Sequence, residues 1–231
     1  MTSPARSLAI ALTAAMAGPT SAEESVVEQV DTARFRIGAV VFDKSTREIR
    51  IPAVVNMTEG LLEFVLVHEK GKVHESLLST RASPIHLNVA FKLLRYPPSP
   101  ELHPLPSPSG GKEPKFPEVT GPVKAGARLL LRVEWNENGR ARACPVTDWV
   151  QHIARTTVMP PTHWIYGGSE IHDGKFAAEV TGDIIDIYNT NSALIHYPGE
   201  GNRDDTLWQS FGKRVPPVGT PVTLVITPAK P

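Results

Sequence analysis

The side chains best suited to chemistry lie in one apolar stretch, residues 60–94. This stretch is rich in Leu, Val and Phe, yet it carries three consecutive polar residues, His74-Glu75-Ser76. Imidazole and carboxylate groups are common metal ligands and common acids and bases in active sites. A ligand pocket in this region would therefore use the following candidates: Glu63, His74, Glu75 and His86.

A structural role for the same residues competes with the functional one. Polar side chains in a buried strand must find hydrogen-bond partners, because each orphaned group costs about 1–3 kcal/mol. Glu63 or Glu75 would then bond to backbone groups or to His side chains. We favour this structural network, and the pocket is the alternative.

The elements that position these residues follow from local patterns. Residues 61–68 and 73–80 are apolar runs on either side of Glu69-Lys70-Gly71-Lys72, which predicts a tight hairpin. With the turn at Lys70-Gly71, Val67 lies opposite His74. Because successive residues of a strand alternate between faces, His74 and Glu75 should point to opposite sides of the sheet.

A helix should follow this hairpin. Ser83 is a good N-cap and Pro84 suits the first helical position. Ile85, Val89 and Leu93 form an apolar stripe that predicts packing on the sheet. His86 opens this helix, where it could reach back over the strand ends.

The rest of the chain reads mainly as strands and turns. We predict an α+β fold, a mostly antiparallel β-sheet built from hairpins with one or two covering helices. The further predicted strands are residues 35–42, 48–55, 127–135, 140–146, 163–168, 175–180, 183–188 and 220–227, and a second short helix is predicted over 148–155.

Several chemistries are excluded or unsupported. Cys144 is the single cysteine, so the chain cannot form an internal disulfide or supply a four-cysteine iron–sulfur or zinc site. The sequence has no hydrolase nucleophile elbow, His-Glu-x-x-His helix, phosphate loop or dinucleotide fingerprint. Cys144 should pack as a small apolar side chain. We expect no metal and no cofactor.

The composition and the net charge of the chain limit its possible location and partners. The 231 residues include 24 basic and 24 acidic side chains, so no net field attracts nucleic acid. Residues 1–22 have the three-part pattern of a secretory signal peptide, and no later run is long enough for an integral membrane span. Residues 23–231 should form a single domain, periplasmic or secreted, with a Pro-rich disordered insertion at about 96–122.

Four segments resemble the YdjY-domain family of exported bacterial proteins. They are IPAVVNMTEGLLEFVLVHEKGKVHESLLST, PIHLNVAFKLL, GGSEIHDGKFAAEVTGDIIDIYN and VPPVGTPVTLVITP, and they extend from about Ile49 to the C-terminus. The resemblance implies one exported domain and supplies no catalytic residues. The label "ferredoxin-like" has been applied to this family, but a chain with one cysteine cannot ligate a cluster in the usual way.

Three functional hypotheses follow. The first is an exported binding or structural module of the cell envelope, without demonstrable catalysis, whose partner is an unknown envelope protein or small ligand. The alternative is a metal-dependent or acid–base enzyme centred on His74-Glu75-Ser76. The third and weaker hypothesis is an accessory protein of a redox system that lacks its own cluster.

Overall fold

The computed structural model describes residues 27–104 and 123–229. The signal-peptide prediction for residues 1–22 and most of the Pro-rich insertion, residues 105–122, lie outside these ranges. Within them the chain forms sixteen strands and two α-helices: β1 (Glu28–Gln29), β2 (Arg34–Ile37), β3 (Val40–Asp43), β4 (Ile49–Val55), β5 (Phe64–His68), β6 (Ser76–Thr80), α1 (Pro84–Leu93), β7 (Arg128–Glu137), β8 (Arg140–Pro145), β9 (Val150–His152), β10 (Trp164–Tyr166), β11 (Ile171–His172), β12 (Lys175–Phe176), α2 (Ala177–Thr181), β13 (Asp183–Asp186), β14 (Ile195–His196), β15 (Trp208–Ser210) and β16 (Pro221–Pro228).

The main sheet closes into an eight-stranded barrel. Its strands follow the order β4, β16, β7, β10, β14, β13, β5 and β6, and β6 pairs with β4 to complete the circle. The predicted α+β class and the mostly antiparallel pairing are confirmed. The expectation of a sheet built from hairpins is wrong, since the strands close into a barrel. Closure pairs the backbone groups of the edge strands, which an open sheet would leave exposed.

The barrel core is built from alternating strand residues. On β4, Ile49, Ile51, Ala53 and Val55 are all buried, whereas the residues between them are half-buried or exposed. A strand with one buried face has this period of two. The strand predicted over residues 48–55 is confirmed as β4.

The central pair of strands departs most from expectation. β5 and β6 run parallel, with Phe64 opposite Ser76 and His68 opposite Thr80, so the predicted hairpin and its register are wrong. Residues 69–75 carry the chain back along the pair and end in a 3₁₀ turn, Val73–Glu75. The antiparallel neighbours of this pair are β13 beside β5 and β4 beside β6.

Helix α1 begins where the sequence places it. The Ser83 hydroxyl accepts a hydrogen bond from the His86 amide at 3.4 Å, and Pro84 occupies the first turn. Glu179 of α2 reinforces this cap, because its Oε2 accepts from the Ser83 hydroxyl at 2.8 Å and from the Ile85 amide at 3.0 Å. Glu179 of α2 therefore helps to cap the N-terminus of α1.

The buried face of α1 is not the predicted stripe. Of the predicted stripe, Ile85 and Leu93 are exposed and only Val89 packs against the core, whereas Leu87, Ala90 and Phe91 are buried. The ring of Phe91 stacks on Tyr166 of β10, with centroids 4.2 Å apart. This aromatic contact sets the rotation of the helix, and the sequence of the helix alone does not reveal it.

Three further element predictions are corrected. Residues 35–42 form a hairpin, β2 and β3, rather than one strand. Residues 146–149 form a 3₁₀ turn that leads into β9, so the helix predicted over 148–155 is wrong. Residues 175–180 form the two-residue β12 and then most of α2 rather than one strand. Helix α2 ends at Gly182, which adopts a left-handed φ of 81°.

The start of the predicted insertion packs against the barrel. Tyr96 and Ser99 are buried, and the Ser99 amide donates to the Tyr166 carbonyl at 2.9 Å. Leu102 packs in a small apolar cluster with Ala127 and Ile165. Neither α-helix of the described residues has the length and apolar character needed to cross a bilayer.

Candidate functional site

Three of the four candidate residues meet at the 3₁₀ turn between β5 and β6. The amide of Glu63 donates to the carbonyl of Glu75 at 3.0 Å, which brings the two chain segments together. Lys72 Nζ lies 3.5 Å from Glu63 Oε2, and His74 Nε2 lies 3.5 Å from Glu75 Oε1. We call these four residues, Glu63, Lys72, His74 and Glu75, the turn cluster.

The electrostatics of the turn cluster are dominated by Glu63. Its side chain is only 16% exposed, and burial raises the pKa of the Glu63 carboxyl. The neighbouring Glu75 carboxylate raises this pKa further, whereas the Lys72 ammonium lowers it. Two adjacent carboxylates disfavour joint ionisation unless a cation lies near them, and Lys72 provides one here.

His74 and Glu75 do not alternate across a sheet as expected. Both belong to the 3₁₀ turn, and the His74 side chain is 74% exposed. His74 also lines an open surface pocket of about 450 Å³, together with residues from the 56–59 segment, Val73 and Val218. The imidazole thus stands between this pocket and the Glu75 carboxylate.

Ser76 has a structural position. It is fully buried, and its hydroxyl donates to the Leu78 carbonyl at 2.8 Å. The Asn56 amide donates to the carbonyls of Val73 and Ser76 and so holds the turn in place. Of the tripeptide His74-Glu75-Ser76, only the first two residues contribute side chains to the turn cluster.

His86 does not join the turn cluster. It lies on α1 over the turn between β2 and β3, where a Cβ added to Gly38 would come within 2.4 Å of His86 Nδ1. Gly38 has a φ of 53°, so the absence of a side chain is needed both for the turn and for the imidazole. The site predicted from Glu63, His74, Glu75 and His86 is therefore split between two places.

A second cluster of polar side chains is buried on β13 and β14. It was not predicted from the sequence. His196 Nδ1 lies 2.9 Å and 3.1 Å from the two carboxylate oxygens of Asp186, and both side chains are fully buried. The amide and the hydroxyl of Thr190 both donate to Asp186 Oδ2, at 2.7 Å and 3.1 Å. The carboxylate therefore has partners on both oxygens.

The hydrogen-bonded network continues along the loop between β13 and β14. Ser192 Oγ lies 3.1 Å from Thr190 Oγ1 and also bonds to Asp183 Oδ2. Asp183 and Asp186 both belong to β13, whose pairing with β5 shifts register twice. These irregularities interrupt the alternation of the strand, so both carboxylates connect to the same loop. We call Asp183, Asp186, Thr190, Ser192 and His196 the buried chain.

The buried chain ends at a second histidine. The rings of His103 and His196 have centroids 5.0 Å apart and planes inclined at 76°. Burial and, to a smaller extent, the neighbouring His196 lower the pKa of His103 to about 4, and Glu101 partly opposes this shift. Burial also raises the pKa of Asp186, against the opposing effects of His196 and Thr190.

No three-ligand metal centre is found by geometry. Among residues 27–104 and 123–229, no group of three or more His, Cys, Asp or Glu side chains is arranged to hold a metal ion. Cys144 is half-buried on β8, and burial raises the pKa of its thiol to about 12. The thiol is therefore protonated at neutral pH, in agreement with its expected packing role.

Comparison with known proteins places the chain by family. No curated protein and no solved structure matches it. Residues 40–227 match the YdjY domain, and this range includes the barrel strands except the last residue of β16, the turn cluster and the buried chain. The chain belongs to the YdjY domain family.

Proposed function

We propose that this protein is an exported binding module of the cell envelope that takes up a cationic group at the turn cluster. The observation that carries the proposal is the meeting of Glu63 and Glu75 at one half-buried surface position. Two carboxylates with a raised pKa for Glu63 form a site that a cation stabilises. Primary ammonium and guanidinium groups have the matching charge and hydrogen-bond donors.

Lys72 shows how such a ligand would be held. Its ammonium lies 3.5 Å from Glu63 Oε2, a loose distance for an ion pair, and its side chain is 47% exposed. A surface ion pair of this kind contributes little, roughly 0–1 kcal/mol, so a ligand can displace it at small cost. The ammonium of Lys72 thus marks the position that the cation of a ligand would occupy.

The rest of the ligand has room beside His74. The open pocket of about 450 Å³ is lined by Met57, Val73 and Val218, which supply apolar contact, and by Asn56 and Thr58, which supply polar groups. His74 joins this pocket to the Glu75 carboxylate. A small ligand or an extended peptide with one basic side chain fits this combination.

The location in the cell envelope rests on residues 1–22. Arg6, a short apolar segment and the small residues Thr20-Ser21-Ala22 have the order of a cleaved export signal. The intact mass of the protein recovered from the envelope fraction tests this part. A chain that begins at Glu23 agrees with export, and a chain that keeps Met1 contradicts it.

Binding can be tested with a matched pair of probes. A blocked tripeptide with a central lysine and its Nζ-acetylated form differ by one charge, and calorimetric titration at low ionic strength compares them. We expect the lysine peptide to bind and the acetylated peptide to bind at least about tenfold more weakly, since the charge is the recognised feature. Glu63→Gln and Glu75→Gln should remove this difference, whereas Glu28→Gln, a distant change of equal charge, should keep it. Equal affinity for both peptides would contradict the proposal.

Acid–base catalysis at the same carboxylates is the second candidate. The raised pKa of Glu63 beside Glu75 is the pattern of carboxyl pairs that divide acid and base roles. A catalyst would convert its ligand, whereas a binding module returns it unchanged. Mass spectrometry of the ligand recovered after incubation separates the two functions.

A further inference from the structure

We propose that His103 and His196 bind one cuprous ion through their Nε2 atoms. This site lies at the end of the buried chain, and it is independent of the turn cluster and of the function proposed above. The argument rests on four features: two orphaned nitrogens, their convergence, the support of one ring by a carboxylate, and the small number of ligands.

The first feature is a pair of buried ring nitrogens without partners. His103 Nε2 and His196 Nε2 are both inaccessible to solvent and make no hydrogen bond within the described residues. His196 is fully buried, so solvent cannot compensate for the missing partner. Buried polar atoms are rarely left unpaired, because each costs about 1–3 kcal/mol. Two such atoms in neighbouring rings point to an occupant that both could contact.

The second feature is the convergence of these nitrogens on one small volume. A Cβ placed on Gly167 would lie 2.3 Å from His196 Nε2 and 2.8 Å from His103 Nε2. Both nitrogens therefore lie close to the same point beside the Gly167 backbone. Any side chain at position 167 would collide with both rings, so Gly167 is needed where the two nitrogens converge.

The third feature is the carboxylate behind His196. Asp186 accepts from Nδ1 of this ring, and Thr190 fixes the carboxylate in turn. Metal-binding histidines commonly donate their other ring N–H to a carboxylate, which sets the tautomer and the direction of the ring. With the proton on Nδ1, the lone pair of His196 Nε2 faces His103.

The fourth feature, the small number of ligands, selects the metal. Cuprous copper binds imidazole and accepts as few as two protein ligands, whereas zinc sites use at least about three.

The proposal is tested by anaerobic titration of the whole purified chain with Cu(I), in competition with the chromophoric chelator bicinchoninate. We expect one equivalent to bind and the melting temperature to rise, because the ion binds the folded state. His103→Phe should abolish this binding. Asp186→Asn keeps an acceptor but removes the charge, and it should weaken binding by about tenfold or more. His172→Gln removes an exposed imidazole on β11 and should bind like the wild type.

Three results would overturn the proposal. They are the absence of Cu(I) uptake by the folded wild type, unchanged uptake by folded His103→Phe and Asp186→Asn, and uptake of Zn²⁺ at the same site with equal affinity. Circular dichroism confirms that each variant is folded, and Asp186→Asn gives a second reading if His103→Phe is unstable. Glu63→Gln should bind Cu(I) like the wild type. The Cu(I) result is therefore independent of whether the peptide-binding proposal holds.

Discussion

Acidification should destabilise the fold through His103. The ordinary pKa of its imidazole is 6.5, and burial lowers the value in the folded protein to about 4. Between these two values the unfolded chain binds a proton at this site and the folded chain does not. The free energy of unfolding therefore rises with pH across this window. The contribution of His103 to it is lost as the pH falls from about 6.5 to about 4.

The size of the effect follows from the width of the window. Each pH unit is worth at most about 1.4 kcal/mol for one group, so the whole window has a ceiling of about 3 kcal/mol. The His103 ring keeps some access to solvent, and screening reduces the expected value to about 2 kcal/mol. This is a large share of the roughly 5–15 kcal/mol of a typical domain.

The measurement compares the wild type with His103→Phe. Urea unfolding at pH 7, 6, 5 and 4.5, in the presence of a chelator, gives the free energy of unfolding of each protein. Glu63 and Asp186 have raised pKa values, and their contributions have the opposite sign, but they are present in both proteins. The stability of the wild type should therefore fall relative to that of His103→Phe by about 2 kcal/mol between pH 7 and pH 4.5. Parallel pH profiles would refute the reasoning, because they would mean that His103 titrates normally in the folded state.

Three further changes test the packing of the two sites and the cap of α1 by chemical denaturation at pH 7. Gly167→Ala should lower the free energy of unfolding by about 1–3 kcal/mol, because its methyl group would overlap the His196 ring. A change below about 0.5 kcal/mol would mean that the rings are not held over Gly167. His74→Ala should change stability by less than about 0.5 kcal/mol, since the imidazole is exposed; a loss above about 1 kcal/mol would restore the structural network expected from the sequence. Ser83→Ala should cost about 1 kcal/mol by removing the α1 cap, whereas Ser45→Ala, in an exposed turn, serves as a control; equal effects would contradict the capping role.

Local features of the fold were predictable because local residues determine them. The cap at Ser83-Pro84 sets the start of α1, and the alternation of Ile49, Ile51 and Ala53 sets the buried face of β4. The hairpin of β7 and β8 follows from the turn signal at residues 136–139. Each of these rests on residues within one or two turns of chain, where propensity and periodicity act directly.

The pairing of β5 with β6 was not predictable in the same way. Gly71 in a short polar connection suits a hairpin, and a parallel pair usually needs a crossover of about a dozen residues or more. The shorter path works here because contacts from elsewhere fix it. A Cβ on Gly71 would lie 2.9 Å from the Thr181 carbonyl, and Asn56 binds the turn from β4. Neither contact can be read from residues 61–80.

The buried chain was hidden for a related reason. His103 and His196 are distant in sequence and meet only when β10 and β14 pair in the barrel. His103 lies near the start of a Pro-rich segment whose composition indicates exposure, so its burial contradicts the local pattern. A usable signal was present in β13, where Asp183 and Asp186 flank two buried isoleucines and require polar partners.

Both candidate sites arise from the same irregularity of the barrel. Only two strand pairs among the described residues are parallel, β5 with β6 and β13 with β14, and each is joined by a short connection. A short crossover cannot satisfy its own backbone groups by regular structure, so side chains must do so. Asn56 does this for residues 73–76, and Asp186 accepts from the Thr190 amide in the other connection.

The consequence for function is that polar groups are concentrated where the two parallel pairs occur. At β5 and β6 the crossover returns to the surface, and it leaves the carboxylates of Glu63 and Glu75 accessible to a ligand. At β13 and β14 the connection is covered, and it leaves the imidazole of His196 in the interior with one nitrogen unpaired. The proposed cationic ligand would therefore bind at the surface, beside the first parallel pair, and the proposed ion would bind in the interior, beside the second.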